Sequence, residues 1–101
     1  MKVLYTNQAL ESLEELSDFL RVKLKIPPNL VKSYLNSLLD DADEIGDHPF
    51  QYPLEPYLEP LNLRHRRKIH KHVKIIFRVH DDYVLITDFF DSRQDPNKMK
   101  G

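Results

Sequence analysis

The sequence predicts an α+β fold: an N-terminal strand, a two-helix hairpin, then a three-stranded antiparallel meander, with the helices packed on one face of the sheet. Two stretches on either side of Pro27-Pro28 carry apolar residues at three- and four-residue steps, the period of helices with one face in a core. From Val73 the pattern changes to period two, as Val73, Ile75, Phe77 and Val79 alternate with Lys74, Ile76 and Arg78. Beyond Asp81-Asp82, a turn, the run Tyr83 to Phe90 is largely apolar on both faces, which marks an interior strand covered on at least one side by the helices. With 101 residues and 41% hydrophobic content, the expectation is one core and a single domain over 1–101.

Taken in order, Lys2-Val3-Leu4-Tyr5 is short and β-favouring, and Thr6-Asn7 behind it can cap a helix. Ala9, Leu13, Leu16, Leu20 and Leu24 form the apolar stripe of the first helix, widened by Leu10 and Phe19. Its outer face runs from Glu11, Glu14, Glu15 and Asp18 to Arg21, Lys23 and Lys25, an order that suits the helix dipole. Pro27-Pro28 ends this helix and can open the next, in which Val31, Tyr34, Leu35, Leu38, Leu39, Ala42 and Ile45 repeat up to Gly46, the expected C-terminal cap. The segment Asp47 to Pro60 holds Pro49, Pro53, Pro56 and Pro60 with little periodicity, so an extended surface loop is expected. It reads as a spacer, with Phe50, Tyr52 and Tyr57 as a less favoured stacking platform. The polar end, Asp91 to Gly101, reads as a tail with a turn at Asp95-Pro96.

The stretch Leu63 to Val79 reads as two strands and a tight connection, and it concentrates positive charge. Arg64, Arg66, Arg67, Lys68, Lys71, Lys74 and Arg78 fall within it, with three histidines and no carboxylate, while most of the acidic residues precede it. A two-residue turn at Lys71-His72 would pair Ile69 with Lys74; a three-residue connection, His70-Lys71-His72, pairs Ile69 with Val73 and keeps apolar opposite apolar. That second register puts Arg64, Arg66, Lys68, Lys74 and Arg78 on one face, a surface for phosphate oxygens or carboxylates. The alternative is a solvated face partly neutralised by Asp88 or Asp91.

Composition excludes several classes. The chain has no cysteine, which removes disulfides, thiolate catalysis and sulfur-ligated metals, and its net charge is −1. No apolar run reaches the roughly 20 residues of a membrane span, and no secretory signal is present, so a cytoplasmic protein without a membrane partner is expected. There is no phosphate-binding glycine loop and no serine elbow, and His65, His70, His72 and His80 lack a third ligand at a recognisable spacing, so neither a metal nor a cofactor is expected.

The order of elements, together with Lys74-Ile75-Ile76-Phe77-Arg78-Val79 and Ile86-Thr87-Asp88-Phe89-Phe90-Asp91-Ser92-Arg93-Gln94-Asp95-Pro96, resembles the RelE/ParE superfamily of toxins from type II toxin–antitoxin modules over nearly the whole chain. The resemblance implies a growth-inhibiting toxin held by a cognate acidic antitoxin that folds on its basic face or on the groove by the helices. RelE-like members cleave ribosome-bound messenger RNA, and on that reading Lys74 and Arg93 match the family's catalytic positions. His70, or His65, would move the proton, with Arg64, Arg66, Lys68 and Arg78 binding RNA. Where RelE-type nucleases place a tyrosine or histidine beyond the equivalent of Arg93, this chain has Asn97, Lys98 and Met99. The RelE-type endoribonuclease is the first expectation. A ParE-type inhibitor of DNA gyrase, which needs no nuclease chemistry, and a degenerate toxin that only binds its antitoxin are the alternatives.

Overall fold

The computed structural model describes residues 1–101. It contains strand β1 (Lys2–Tyr5), helix α1 (Asn7–Asp18), helix α2 (Pro28–Asp43) and strands β2 (Arg66–His70), β3 (Val73–Val79) and β4 (Tyr83–Asp91). The sheet order is β1-β4-β3-β2, with β1 parallel to β4 and the other pairs antiparallel. The α+β architecture is therefore the expected one. β4 lies inside the sheet, as its two apolar faces demanded.

Thr6 caps α1 through its hydroxyl, which accepts the Ala9 N–H at 3.0 Å. The α-helix stops at Asp18, short of the expected Leu24, and widens over Phe19–Lys23 into a π-turn in which Leu24 N–H reaches the Phe19 carbonyl at 3.2 Å. Leu20, within that turn, is buried. Leu16, Leu20, Val31, Leu38, Ala42 and Ile45 from the helices meet Val73, Ile75, Phe77, Val84, Ile86 and Phe89 from the sheet in one buried core.

Gly46 is not a left-handed C-cap. α2 passes into a 3-10 turn at Glu44–Asp47, and no glycine has positive φ. The glycine is needed for space, because a Cβ there would collide with the Met1 carbonyl oxygen and press on Val3.

The segment before β2 is not a free spacer either. It folds into 3-10 turns at Pro49–Gln51 and Pro56–Leu61, and between them it pairs along β2. Glu55 N–H donates to the His65 carbonyl at 2.8 Å and Arg67 N–H to the Pro53 carbonyl at 3.0 Å. The outer edge of β2 is thereby closed at its start, around Arg66 and Arg67.

The face of the sheet away from the helices is covered as well. Ile76 and Phe90 point that way and are buried, although they lie outside the helix-side core. The C-terminal segment crosses here, anchored by Lys100 N–H on the Asp88 carboxylate at 2.7 Å, and Gly101 comes up against Leu61 and the His65 ring.

Candidate functional site

The register of the β2–β3 hairpin corrects the expected charge map. His70 pairs with Val73, Ile69 with Lys74, Lys68 with Ile75 and Arg66 with Phe77, around a two-residue turn whose first residue, Lys71, takes φ 55°. The rejected register is thus the one adopted. Matching apolar to apolar does not decide it, because β2 is the last strand of the sheet and its long side chains reach carboxylates on α2.

That pairing sends Arg66, Lys68 and His70 to the helix side and leaves Lys74 and Arg78 on the other. On the helix side, Lys68 Nζ forms an ion pair with Asp41, hydrogen-bonds the Asp41 carbonyl at 2.9 Å and lies 3.5 Å from Glu44. His70 Nδ1 is 2.8 Å from the other Asp41 oxygen. Burial works against the Asp41 charge, but Lys68 and His70 outweigh it and hold this carboxyl below the usual range. Arg66 donates to the Tyr52 carbonyl at 2.6 Å, with its guanidinium 5.2 Å from the centre of the exposed Phe50 ring. Tyr52 packs edge-on against Phe77, so this aromatic pair is part of the scaffold that holds Arg66 and Lys68.

On the opposite face, Lys74 Nζ meets Glu55 Oε1 at 2.8 Å, and Arg67 Nε lies 3.9 Å from the same oxygen. The other Glu55 oxygen accepts the Tyr57 N–H at 2.9 Å, so this carboxylate is fully buried and fully engaged. Neither Asp88 nor Asp91 serves as the counter-ion. Arg78 carries no ion pair and its Nε is buried without a hydrogen-bond partner. Burial, with Arg78 adding to it, pushes the neighbouring His65 below the ordinary histidine range against a backbone contact from Gly101. Arg64, with φ 57°, lines a cleft of about 310 Å³ together with His65, Asn62, Glu59, Glu55, Pro56 and Leu54.

Arg93 sits beyond β4, near the helices. Its Nε and Nη2 grip Asp91 at 2.9 and 2.6 Å, its own backbone N–H adds a third bond to Asp91, and its guanidinium lies 5.9 Å from the Phe19 ring. Asp91 raises the Arg93 pKa; burial resists ionisation of Asp91, and Arg93 overcomes it and lowers that pKa. His70 and Arg93 therefore share the helix side and approach Tyr34 from two directions, whereas Lys74 is separated from both by the sheet.

Ser37, His70 and Asp41 also fall in line, with the Ser37 hydroxyl 3.4 Å from His70 Nε2. The resemblance to a serine relay stops there. The Ser37 proton is committed to the Tyr34 carbonyl at 2.8 Å. Its position inside α2 leaves no free backbone N–H to stabilise an oxyanion. No group of three or more His, Asp or Glu side chains is arranged to hold a metal ion.

With the geometry in hand, comparison with known proteins gives a family. The family described as "ParE toxin of type II toxin-antitoxin system, parDE" matches residues 3–96. The chain belongs to the ParE toxin family. Among solved structures, a chain from "Chromosomal ParDE TA system from P. aeruginosa" superposes with TM-score 0.74 at 16% identity, covering 90% of this chain and 95% of that one. Comparison with curated protein sequences gives no significant match. The expected RelE/ParE superfamily membership and fold are thus confirmed, and the chain is the toxin of a type II module, whose partner is an antitoxin. No helix is long and apolar enough to cross a membrane.

In this ParE-family member the carboxylates that decide the charge map of the basic strands are Asp41, Glu44 and Glu55, and sequence reasoning assigned none of these three to them. Glu55 carried one usable signal. It is an acid between two prolines, Pro53 and Pro56, in a segment too short to fold on its own.

Proposed function

We propose that this ParE-family toxin arrests growth by binding a protein target, DNA gyrase, and not by cutting RNA. One observation carries the reading: the side chains put forward for RNA cleavage are divided by the sheet. Lys74 lies on one face and His70 and Arg93 on the other, and each is bound to a carboxylate. Cleavage by the 2′-hydroxyl needs a proton acceptor, a proton donor and a cation for the phosphorane, all within hydrogen-bond reach of one phosphate. Groups on opposite sides of a sheet do not converge on one phosphate. The covered face beneath Lys100 and Gly101, and the Asn97-Lys98-Met99 sequence where nucleases place a tyrosine or histidine, support the same reading. Binding a protein needs only a complementary surface, and a cognate acidic antitoxin would inactivate the toxin by covering part of it.

The test uses purified protein, gyrase and relaxed plasmid. Loss of supercoiling, with linear DNA accumulating as toxin is added, is the expected result. Full supercoiling at a large molar excess of toxin overturns the proposal.

A further inference from the structure

Lys68, Lys74 and Arg67 of the strands are paired with carboxylates and Arg66 is held by the Tyr52 carbonyl, but a second group of cations outside the strands is largely unpaired. Between Arg21 and Lys32 there are four cations and no carboxylate. Arg21 is held by Asp18 at 2.6 Å, while Lys23, Lys25 and Lys32 make no ion pair. These residues surround the tip of the helical hairpin, where Val22, Leu24 and Leu30 are 67%, 38% and 55% exposed. The β2–β3 turn packs beside them and contributes Lys71, whose Nζ lies 5.6 Å from the centre of the Tyr34 ring and which also has no carboxylate partner.

Between tip and turn is a recess of about 150 Å³. Its floor is Leu20, Ile26, Val31 and Tyr34; Lys71, His72 and Arg93 form its rim. The π-turn at Phe19–Lys23 lies beside the recess and supplies Leu20 to its floor. A dry cavity of about this volume takes a group the size of benzene.

We infer that this end of the molecule docks an acidic segment of a protein partner, with one leucine- or phenylalanine-sized side chain of that segment in the recess and its carboxylates against Lys25, Lys71 and neighbouring lysines. The inference rests on the toxin reading, in which an acidic antitoxin is the partner, and adds where and by what chemistry such a partner is held. Charge complementarity selects an acidic occupant. The choice of peptide over nucleic acid comes from the exposed Val22, Leu24 and Leu30 and from the apolar floor, which a sugar–phosphate chain would leave wet. The strands that carry most of the basic sequence contribute little here, because Asp41 and Glu55 already pair with Lys68, His70, Lys74 and Arg67.

The experiment selects binders from a random 16-residue peptide library displayed on phage, using the intact protein as bait. The best binder is then synthesised with a fluorophore and titrated by anisotropy. Enriched peptides rich in Asp and Glu around a Leu or Phe are expected. The synthesised peptide should bind K25E/K71E at least about tenfold more weakly than the wild type, bind K2E/K98E normally, and lose about tenfold when its apolar anchor becomes serine. Both pairs change exposed side chains, and unchanged circular dichroism confirms their folds. Selected peptides without acidic enrichment, equal binding to K25E/K71E, or tighter binding of a 16-nucleotide single-stranded DNA at this pole overturns the inference. The supercoiling reaction reads the toxin proposal independently, since it contains no peptide: gyrase inhibition with no effect of K25E/K71E on peptide binding sinks only the docking pole, and the converse sinks only the gyrase reading.

Discussion

Replacing Glu55 by glutamine removes one negative charge from beneath two cations while keeping an oxygen for the Tyr57 N–H. In the wild type this carboxylate is fully buried, 2.8 Å from Lys74 Nζ and 3.9 Å from Arg67 Nε. Breaking a buried pair by removing one partner costs on the order of 3–5 kcal/mol when the remaining charge is sealed in. Here the cations are not sealed in: the Lys74 and Arg67 side chains retain 23% and 25% exposure and can turn to water. The expected loss is therefore about 2 kcal/mol, which for a domain of this size lowers Tm by roughly 8–16 °C. Urea denaturation of E55Q measures it directly. Adding K74M to E55Q should recover about 1 kcal/mol, because the lysine no longer needs a counter-ion. An E55Q variant within about 0.5 kcal/mol of wild type would refute the reasoning, since Glu55 would then behave as a surface residue.

Asp41 gives a pH signature. Its folded pKa lies below the unfolded value, so its contribution is complete above the unfolded carboxylate range and is lost as pH falls through the folded value. The stability gap between wild type and D41N should hold steady above about pH 5 and close progressively below it, as read by urea midpoints across pH; a gap that widens on acidification would contradict the ion pair with Lys68. G46A should destabilise by roughly 1–3 kcal/mol, because its Cβ must displace the Met1 backbone and β1, and a wild-type denaturation midpoint would show that the close approach is not real. H70A should leave growth arrest intact in cells induced for the toxin alone, whereas restored growth with normal protein level would give this histidine a chemical role.

The two helices were legible because Ala9 to Leu20 and Val31 to Ile45 each bury one face in the core, and burial on one face imposes the period. The interior position of β4 was legible for the same reason, since a strand covered on both sides leaves no room for alternating polarity. The hairpin register was not. Apolar matching governs where both strands are under the helices, but β2 is the last strand of the sheet, and its side chains answer to Asp41, 27 residues before Lys68 in the chain. Local sequence shows the cation and hides its distant partner. Glu55 was hidden likewise, because nothing in a proline-rich stretch shows that it turns inward beneath Lys74. The π-turn leaves the apolar residues at helix-like intervals, so its widening could not be read from spacing alone. The cover over Ile76 and Asp88 comes from a polar C-terminal segment whose composition suggests a solvated tail, although its Lys100 N–H supplies a partner for a carboxylate that burial pushes above the usual range.

The central claim is that the basic strands are structural and the toxin cuts no RNA. It is tested most directly by mapping 5′ ends on a defined message incubated with the protein, with and without translating ribosomes. The account predicts an unchanged pattern at toxin concentrations that stop gyrase. New 5′ ends that depend on the protein and disappear in H70A or R93A, with the fold intact, would contradict it.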